Sequence, residues 1–177
     1  MSAVARSTDQ HAYEVELSPM RRRHLRSVLR IEGLVYPRPW SMTLFLQEIA
    51  RRRDRAYLVA KVDAEVVGYG GAMTVGTEAH ITTIAVDPPY QGQKIGTRLM
   101  IGLIEASIER GAGTVSLEVR KSNTPAQRMY EKFGFHPVGI RKGYYIETGE
   151  DAIVMWADNV DTGTYAEILE ARRAELG

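Results

Sequence analysis

The stretch Ile84-Ala85-Val86-Asp87-Pro88-Pro89-Tyr90-Gln91-Gly92-Gln93-Lys94-Ile95-Gly96-Thr97 decides the fold. An apolar strand stops at two prolines, which cannot donate to a sheet ladder, and passes through a glycine-bearing turn into a helix. Ile95, Leu99, Leu103 and Ala106 share one face of that helix, and Gly111 lies past its end. Free backbone N–H groups and the helix dipole at such a junction suit a phosphate. Two nucleotide-binding patterns fail here, because no Gly-Lys-Ser/Thr triplet is present and only Gly92 and Gly96 are glycine. What remains is an anion loop of another kind or a plain strand-to-helix turn.

Upstream of this unit, Tyr57 to Val62, Val66 to Met73 and Ala79 to Val86 read as three strands with short links, the first link being Asp63-Ala64-Glu65. They predict an antiparallel meander. Downstream, Thr114 to Val119 alternates, with Val115, Leu117 and Val119 on one face, so Glu118 points away from the aliphatic side. Thr124-Pro125-Ala126-Gln127 reads as a capping box opening a helix with Ala126, Met129, Tyr130 and Phe133 on one stripe and Gly134 as its end. Strands near Phe135 to Ile140 and Ala152 to Trp156 precede an amphipathic helix from about Tyr165. At the other end, Ser18-Pro19 reads as the start of a helix that runs through Leu25, Val28, Leu29 and Ile31 and stops at Gly33. Ser41 caps a second helix with Leu44, Phe45, Glu48 and Ile49, placing Arg51 to Arg53 in its last turn.

With 177 residues, one core is expected. Residues 1–12 read as a flexible leader, 13–158 as the folded domain and 159–177 as a helical extension. The apolar fraction of 44% excludes a disordered chain, and 23 basic against 22 acidic residues leave a net charge of +1, too little for a global field to hold DNA. The arginine runs at 21–23 and 51–53 are either solvated helix faces or a local surface for an acidic or RNA-bearing partner. Cysteine is absent, which removes disulfides and a thiol nucleophile. His11, His24, His80 and His136 lie too far apart in sequence to suggest a metal site, so none is expected. No segment has the length of a membrane span and no signal peptide is evident, so a soluble, cytoplasmic protein is expected.

Taken in order, the pieces from Val15 to Trp156 resemble the GNAT superfamily of acyl-CoA-dependent N-acetyltransferases. Ile84 to Pro88 running into Gln91 to Gly96 looks like that family's Q/R-x-x-G-x-G/A pyrophosphate loop, with Lys94 standing where a glycine is usual. Five further blocks look most like the RimI-type ribosomal-protein alanine N-acetyltransferases. They are Pro39-Trp40-Ser41, Leu117 to Arg120 with Ser122-Asn123, Tyr130 to Phe135, Arg141 to Tyr145, and Glu150 to Ile153. The resemblance implies an α/β (α+β) fold: a mixed, mostly antiparallel sheet of about seven strands flanked by helices.

It also implies roles. Acetyl transfer to an amine needs a neutral nucleophile and a proton for the departing thiolate. Glu118 would accept the amine proton and Tyr130 would protonate the thiolate. Main-chain groups of Ile84, Ala85 and Val86 would pair with the pantetheine of acetyl-CoA. The loop of Gln91, Gly92, Gln93, Lys94, Ile95, Gly96 and Thr97 would hold the pyrophosphate, with Lys94 adding charge there, and Asn123 would touch CoA. Tyr36, Trp40, Tyr144 and Tyr145 would wall the acceptor groove. The implied acceptor is a protein N-terminus, that of alanine on small-subunit ribosomal protein S18. Alternatives are a lysine side chain, a small-molecule amine, or a non-catalytic module that binds acyl-CoA or the ribosome. Isolated from the resemblance, Tyr130 reads as core, and the alternative readings are a paired surface residue for Glu118 and a turn residue for Asn123.

Overall fold

The computed structural model describes residues 14–177. The expected leader and His11 lie outside these residues. Seven strands form one mixed sheet in the order β1-β2-β3-β4-β5-β7-β6. In chain order the elements are β1 (Glu16–Pro19), α1 (Leu25–Val35), α2 (Met42–Ala50), β2 (Arg55–Val62), β3 (Glu65–Val75), β4 (Glu78–Val86) and α3 (Ile95–Glu109). They continue with β5 (Thr114–Arg120), α4 (Thr124–Lys132), β6 (His136–Tyr145), β7 (Glu150–Asp158) and α5 (Gly163–Ala174). No helix among the described residues is long and apolar enough to cross a membrane.

The meander forms as expected. β2, β3 and β4 pair antiparallel, and Asp63 and Ala64 close the first hairpin with φ of 49° and 68°. Two glycines stop helices where the pattern placed them: Gly111 and Gly134 take φ of 97° and 81° just past α3 and α4. Ser41 caps α2, its hydroxyl accepting the Leu44 N–H at 3.2 Å.

Four local expectations are corrected. Ser18-Pro19 does not open a helix; it ends β1, an edge strand paired with residues 58–61 of β2, where a proline lacking an N–H is tolerated. Helix α1 starts six residues later, after a single 3-10 turn at Arg22–His24, and runs past Gly33 to Val35. Arg51 to Arg53 follow α2 rather than forming its last turn, because the Arg51 N–H already closes the helix on the Glu48 carbonyl. The cap of α4 is Asn123 and not Thr124: the Asn123 carboxamide oxygen accepts the Ala126 N–H at 3.2 Å.

One feature of the sheet positions everything else. β4 and β5 run parallel, the only such pair among the described residues, and they pair only at Glu78↔Thr114, Ala79↔Val115 and His80↔Ser116. Beyond that point β4 stays with β3 and β5 stays with β7, so the sheet splits between them. The split begins at a bulge. Gly71 faces Thr83 while Ala72 faces Ile81, leaving Thr82 as an extra residue on β4. The Thr82 hydroxyl meets Tyr57 Oη at 3.1 Å, and the Tyr57 hydroxyl donates to Glu48 at 2.8 Å. Gly71 makes room for that ring, since a Cβ there would fall inside it.

Opposite signs are expected for alanine at two glycines. Gly71→Ala must displace the buried Tyr57 ring and should cost about 1–3 kcal/mol in urea unfolding. Gly33→Ala, inside α1 with nothing near its Cβ, should stabilise by up to about 1 kcal/mol.

Candidate active site

The split between β4 and β5 opens a cleft of about 350 Å³. Ile81 to Ile84 form one wall and Leu117 to Arg120 the other, and Glu32, Tyr36, Arg38, Trp40, Asn123, Tyr130, Tyr144 and Tyr145 complete the lining. The fold thus brings both expected catalytic side chains and all four expected groove residues to one place.

Glu118 projects from β5 away from the buried Val115, Leu117 and Val119, as the alternation predicts. It is not alone. His80 Nε2 lies 2.8 Å from Glu118 Oε2, and Arg141 Nη1 donates to Glu118 Oε1 at 3.1 Å. The hydrogen bond from His80, with the further electrostatic influence of His80 and Arg141, holds the Glu118 carboxyl below the usual carboxylate range, against the opposing effect of burial. His80 Nδ1 in turn meets Ser116 Oγ at 3.0 Å. Ser116 and His80 are the last paired residues before the split, so this chain of contacts closes the inner end of the cleft. His80, Ser116 and the role of Arg141 are not visible in sequence order; the His80 contact follows only from the β4–β5 register.

Tyr130 sits on α4 beside Met129 and Phe133, is buried, and packs its ring 6.0 Å from that of Phe135. Burial, followed by the neighbouring Tyr36 and Tyr145, pushes its hydroxyl upward, so it stays protonated across the physiological range. It has no hydrogen-bond partner among the described residues and it faces the cleft. Packing and a free proton donor therefore coexist in one side chain.

The groove residues are tethered. Tyr36 donates to the Ile84 carbonyl at 2.7 Å, and burial raises its hydroxyl as well. Buried Glu32 accepts the Trp40 N–H at 3.0 Å and the Tyr69 hydroxyl, which pins the 36–40 segment to the sheet. Tyr144 and Tyr145 meet edge to face at 5.2 Å. Arg120 lies 3.9 Å over the Tyr145 ring and Arg141 lies 5.1 Å over that of Tyr144. Burial pushes Tyr145 up to about 12. Glu150 accepts the Ser122 N–H at 3.0 Å and faces Arg120, joining the β6–β7 hairpin to the loop before α4.

The far side of the cleft leads to the glycine loop. The edge of β4 that faces β5 is unpaired from Ile81 to Val86, although the Ile84 carbonyl is taken by Tyr36 and the Val86 carbonyl by the Gln91 side chain at 3.1 Å. Next come Gly92, with φ of 78°, Gln93, and Lys94 in the left-handed region at φ 63°. Among the described residues no backbone bond is donated from 92–94, and Ile95, Gly96 and Thr97 precede the Arg98 N–H that closes the first helical turn on the Lys94 carbonyl at 3.1 Å. A run of open amides at a helix N-terminus, with empty space above Gly92, fits a pyrophosphate. The Lys94 side chain turns the other way and donates to the Glu175 carbonyl, so the charge expected beside phosphate is directed to the C-terminal segment instead. The arginine runs at 21–23 and 51–53 meet around a separate groove of about 680 Å³, lined by Arg21, Arg22, Arg23 and Arg52 over Met20, Leu46 and Ile49.

Residues 25–135 match the family model described as "Acetyltransferase (GNAT) family". The chain belongs to the GNAT acetyltransferase family. A Bacillus subtilis relative, named as a candidate ribosomal protein bS18-alanine N-acetyltransferase, is 42% identical over 137 residues, 77% of this chain and 91% of that protein. The Escherichia coli ribosomal protein bS18-alanine N-acetyltransferase is 35% identical over 141 residues, covering 78% and 94% respectively. The crystal structure of the Escherichia coli ribosomal-protein-S18-alanine N-acetyltransferase superposes with a TM-score of 0.75 at 32% identity, covering 82% of this chain and 94% of that one. This GNAT enzyme therefore carries acetyltransferase chemistry on its seven-stranded sheet. Among its described residues no group of three or more His, Asp or Glu side chains is arranged to hold a metal.

The Glu118 contacts make a stability prediction. A carboxyl depressed in the folded state contributes stability above its unfolded value of 4.5 and loses it as pH falls through the lower folded value. The unfolding free energy lost in Glu118→Gln should therefore be largest near neutrality and shrink below about pH 4. Urea unfolding of both proteins across that range checks it.

Proposed function

We propose that this GNAT enzyme transfers the acetyl group of acetyl-CoA to a protein N-terminal α-amino group, and that the N-terminal alanine of ribosomal protein bS18 is its acceptor. The names of its relatives in Bacillus subtilis and Escherichia coli suggest that acceptor, and a cytoplasmic site of action goes with it. The observation that carries the reading is the two-sided cleft: an open β4 edge and amide loop on one flank, a tethered aromatic groove on the other, and Glu118 with Tyr130 between them.

On this reading the amides of Gly92 to Thr97 and the side of Gln91 receive the pyrophosphate. The β4 edge along Ile84, Ala85 and Val86, where Ile84 and Val86 turn their backbone groups outward while Ala85 pairs with β3, aligns the pantetheine, and the Asn123 side-chain nitrogen reaches it from the start of α4. Tyr36, Trp40, Tyr144 and Tyr145 align the acceptor chain. An α-ammonium with a pKa near about 8 must lose a proton before attack, and Glu118, fixed by His80 and Arg141, accepts it directly or through water. His80 stands close enough to share that proton. As the tetrahedral intermediate collapses, the C–S bond breaks and the neutral Tyr130 hydroxyl delivers a proton to the thiolate.

Three peptides test the acceptor: one lysine-free with a free N-terminal alanine, the same sequence with that amine blocked, and a blocked variant in which one internal residue is replaced by lysine. Acetylation of the first alone is expected. Equal rates on the lysine peptide would transfer the activity to side-chain amines, and no thiol release with any amine would leave a binding module.

Substitutions test the chemistry. Glu118→Gln should lower turnover by roughly 10²-fold with partial recovery at high pH, and wild-type turnover at every pH would remove Glu118 as the acceptor. Tyr130→Phe should lower turnover by roughly 10–10²-fold with little change in melting temperature, and less so for acyl donors whose leaving thiol is more acidic. Full turnover with a lowered melting temperature would reduce Tyr130 to packing.

A further inference from the structure

We propose that α5 is a positioning brace for the acetyl-CoA site, and that Lys94 stands at a glycine position of the loop because the brace needs a donor there. The proposal rests on the reading of residues 92–97 as the pyrophosphate loop. The match to the family model ends at residue 135, so α5 lies beyond it.

The helix is anchored by Tyr165 and Leu169, both buried in the main core. From there it reaches two other helices. On one side the Tyr165 hydroxyl donates to the Phe133 carbonyl at 2.6 Å and Arg172 Nη1 to the Lys132 carbonyl at 3.1 Å. These carbonyls belong to the end of α4, the helix that carries Tyr130, where helical geometry leaves them without an internal partner. On the other side Arg173 pairs with Glu105 of α3. Past the end of α5, the Glu175 carbonyl accepts from Lys94 Nζ and the Leu176 carbonyl accepts from Arg98 Nη2 at 3.4 Å. One helix and its last residues therefore fix the start of α3, which presents the open amides, relative to the end of α4, which presents the proton donor.

This arrangement accounts for Lys94. Its φ of 63° and ψ of 18° lie in the left-handed region, where a side chain is disfavoured and glycine is not. A residue with a Cβ is retained there at a conformational cost, and its only side-chain hydrogen bond among the described residues is with residue 175. The loop is thereby held in its turn by a tie to a segment 81 residues away rather than by backbone freedom. A direct phosphate contact by Lys94 is the competing account, and the two differ in what happens when the tie is removed from the other end.

Four proteins make the test: wild type, Lys94→Gly, a chain ending at Ala171, and the combination. The shortened chain keeps Tyr165 and Leu169, and melting temperature shows that it folds. CoA affinity is measured by calorimetry, and KM for acetyl-CoA and for peptide in parallel. Each single change should weaken CoA by about 3–10-fold and raise KM for acetyl-CoA but not for peptide, and the combination should be no weaker than the shortened chain alone. Additive losses would assign Lys94 to phosphate directly, and unchanged affinity in the shortened chain would show that the brace does not position the site; either overturns the proposal. Full-length Lys94→Met supplies an arm that does not depend on truncation. Amide exchange at Arg98, whose N–H is bonded to the Lys94 carbonyl, should quicken by about tenfold without a fall in melting temperature, and unchanged exchange overturns the proposal. Failure of wild type to bind CoA would instead overturn the reading of the loop, and the brace with it.

Discussion

The structure depends on one interruption in its hydrogen bonding. A parallel pair of strands at the middle of a sheet is normally paired along its length, yet β4 and β5 exchange only three residue pairs before they part at His80 and Ser116. The unpaired edge is kept from closing by what lies on each side. β4 is turned by the extra residue Thr82, held through Tyr57 and Glu48, and β5 is committed to β7 from Thr114 to Arg120. An open strand edge inside a domain leaves backbone groups without partners, which is costly unless a ligand or water completes them. That cost is concentrated where the proposed acetyl donor would pair.

Charge is arranged around the split in a matching way. Glu118 alone in a cleft with a side-chain exposure of 14% would be poorly solvated, and His80 and Arg141 compensate it from two different elements. Glu32, at 2% exposure, is completed by Trp40 and Tyr69. These contacts place one carboxylate at the cleft and another under the 36–40 segment, where it serves as an anchor. The tyrosines show the complementary pattern. Burial raises Tyr36, Tyr130 and Tyr145, so the cleft is lined by neutral hydroxyls facing a carboxylate kept ionised.

Local patterns in the sequence carried much of this. The strand, glycine loop and helix around Gln91 to Thr97, the alternation that turns Glu118 off the aliphatic face, and the glycines that end α3 and α4 are short-range features, and each appears where it was expected. The misreadings share a cause, which is that the deciding contact lies elsewhere in the chain. Ser18-Pro19 suits a helix start and an edge strand equally, and only pairing with Leu58 and Val59 selects the strand. His80 looked like one of four scattered histidines because its partner is 38 residues away through a three-pair register. Lys94 looked like added charge for phosphate because nothing near it in sequence reveals the Glu175 carbonyl. Asn123 and Thr124 are both good caps, and the one-residue choice between them is settled by backbone geometry, with Asn123 outside the helix at φ −83° and ψ 69° and Thr124 already within it.

The central claim is that the split sheet receives the acetyl donor along β4 and the amide loop while the acceptor enters the aromatic groove on the other flank. Amide chemical-shift mapping on the ¹⁵N-labelled protein tests it most directly, with CoA and an alanine-initiated peptide titrated separately. CoA should shift the amides of residues 82–86 and 92–97, and the peptide should shift Tyr36, Trp40, Glu118, Tyr144 and Tyr145. Shifts from CoA centred on the groove of Arg21, Arg22, Arg23 and Arg52, with the β4 edge and the amide loop unmoved, would contradict it.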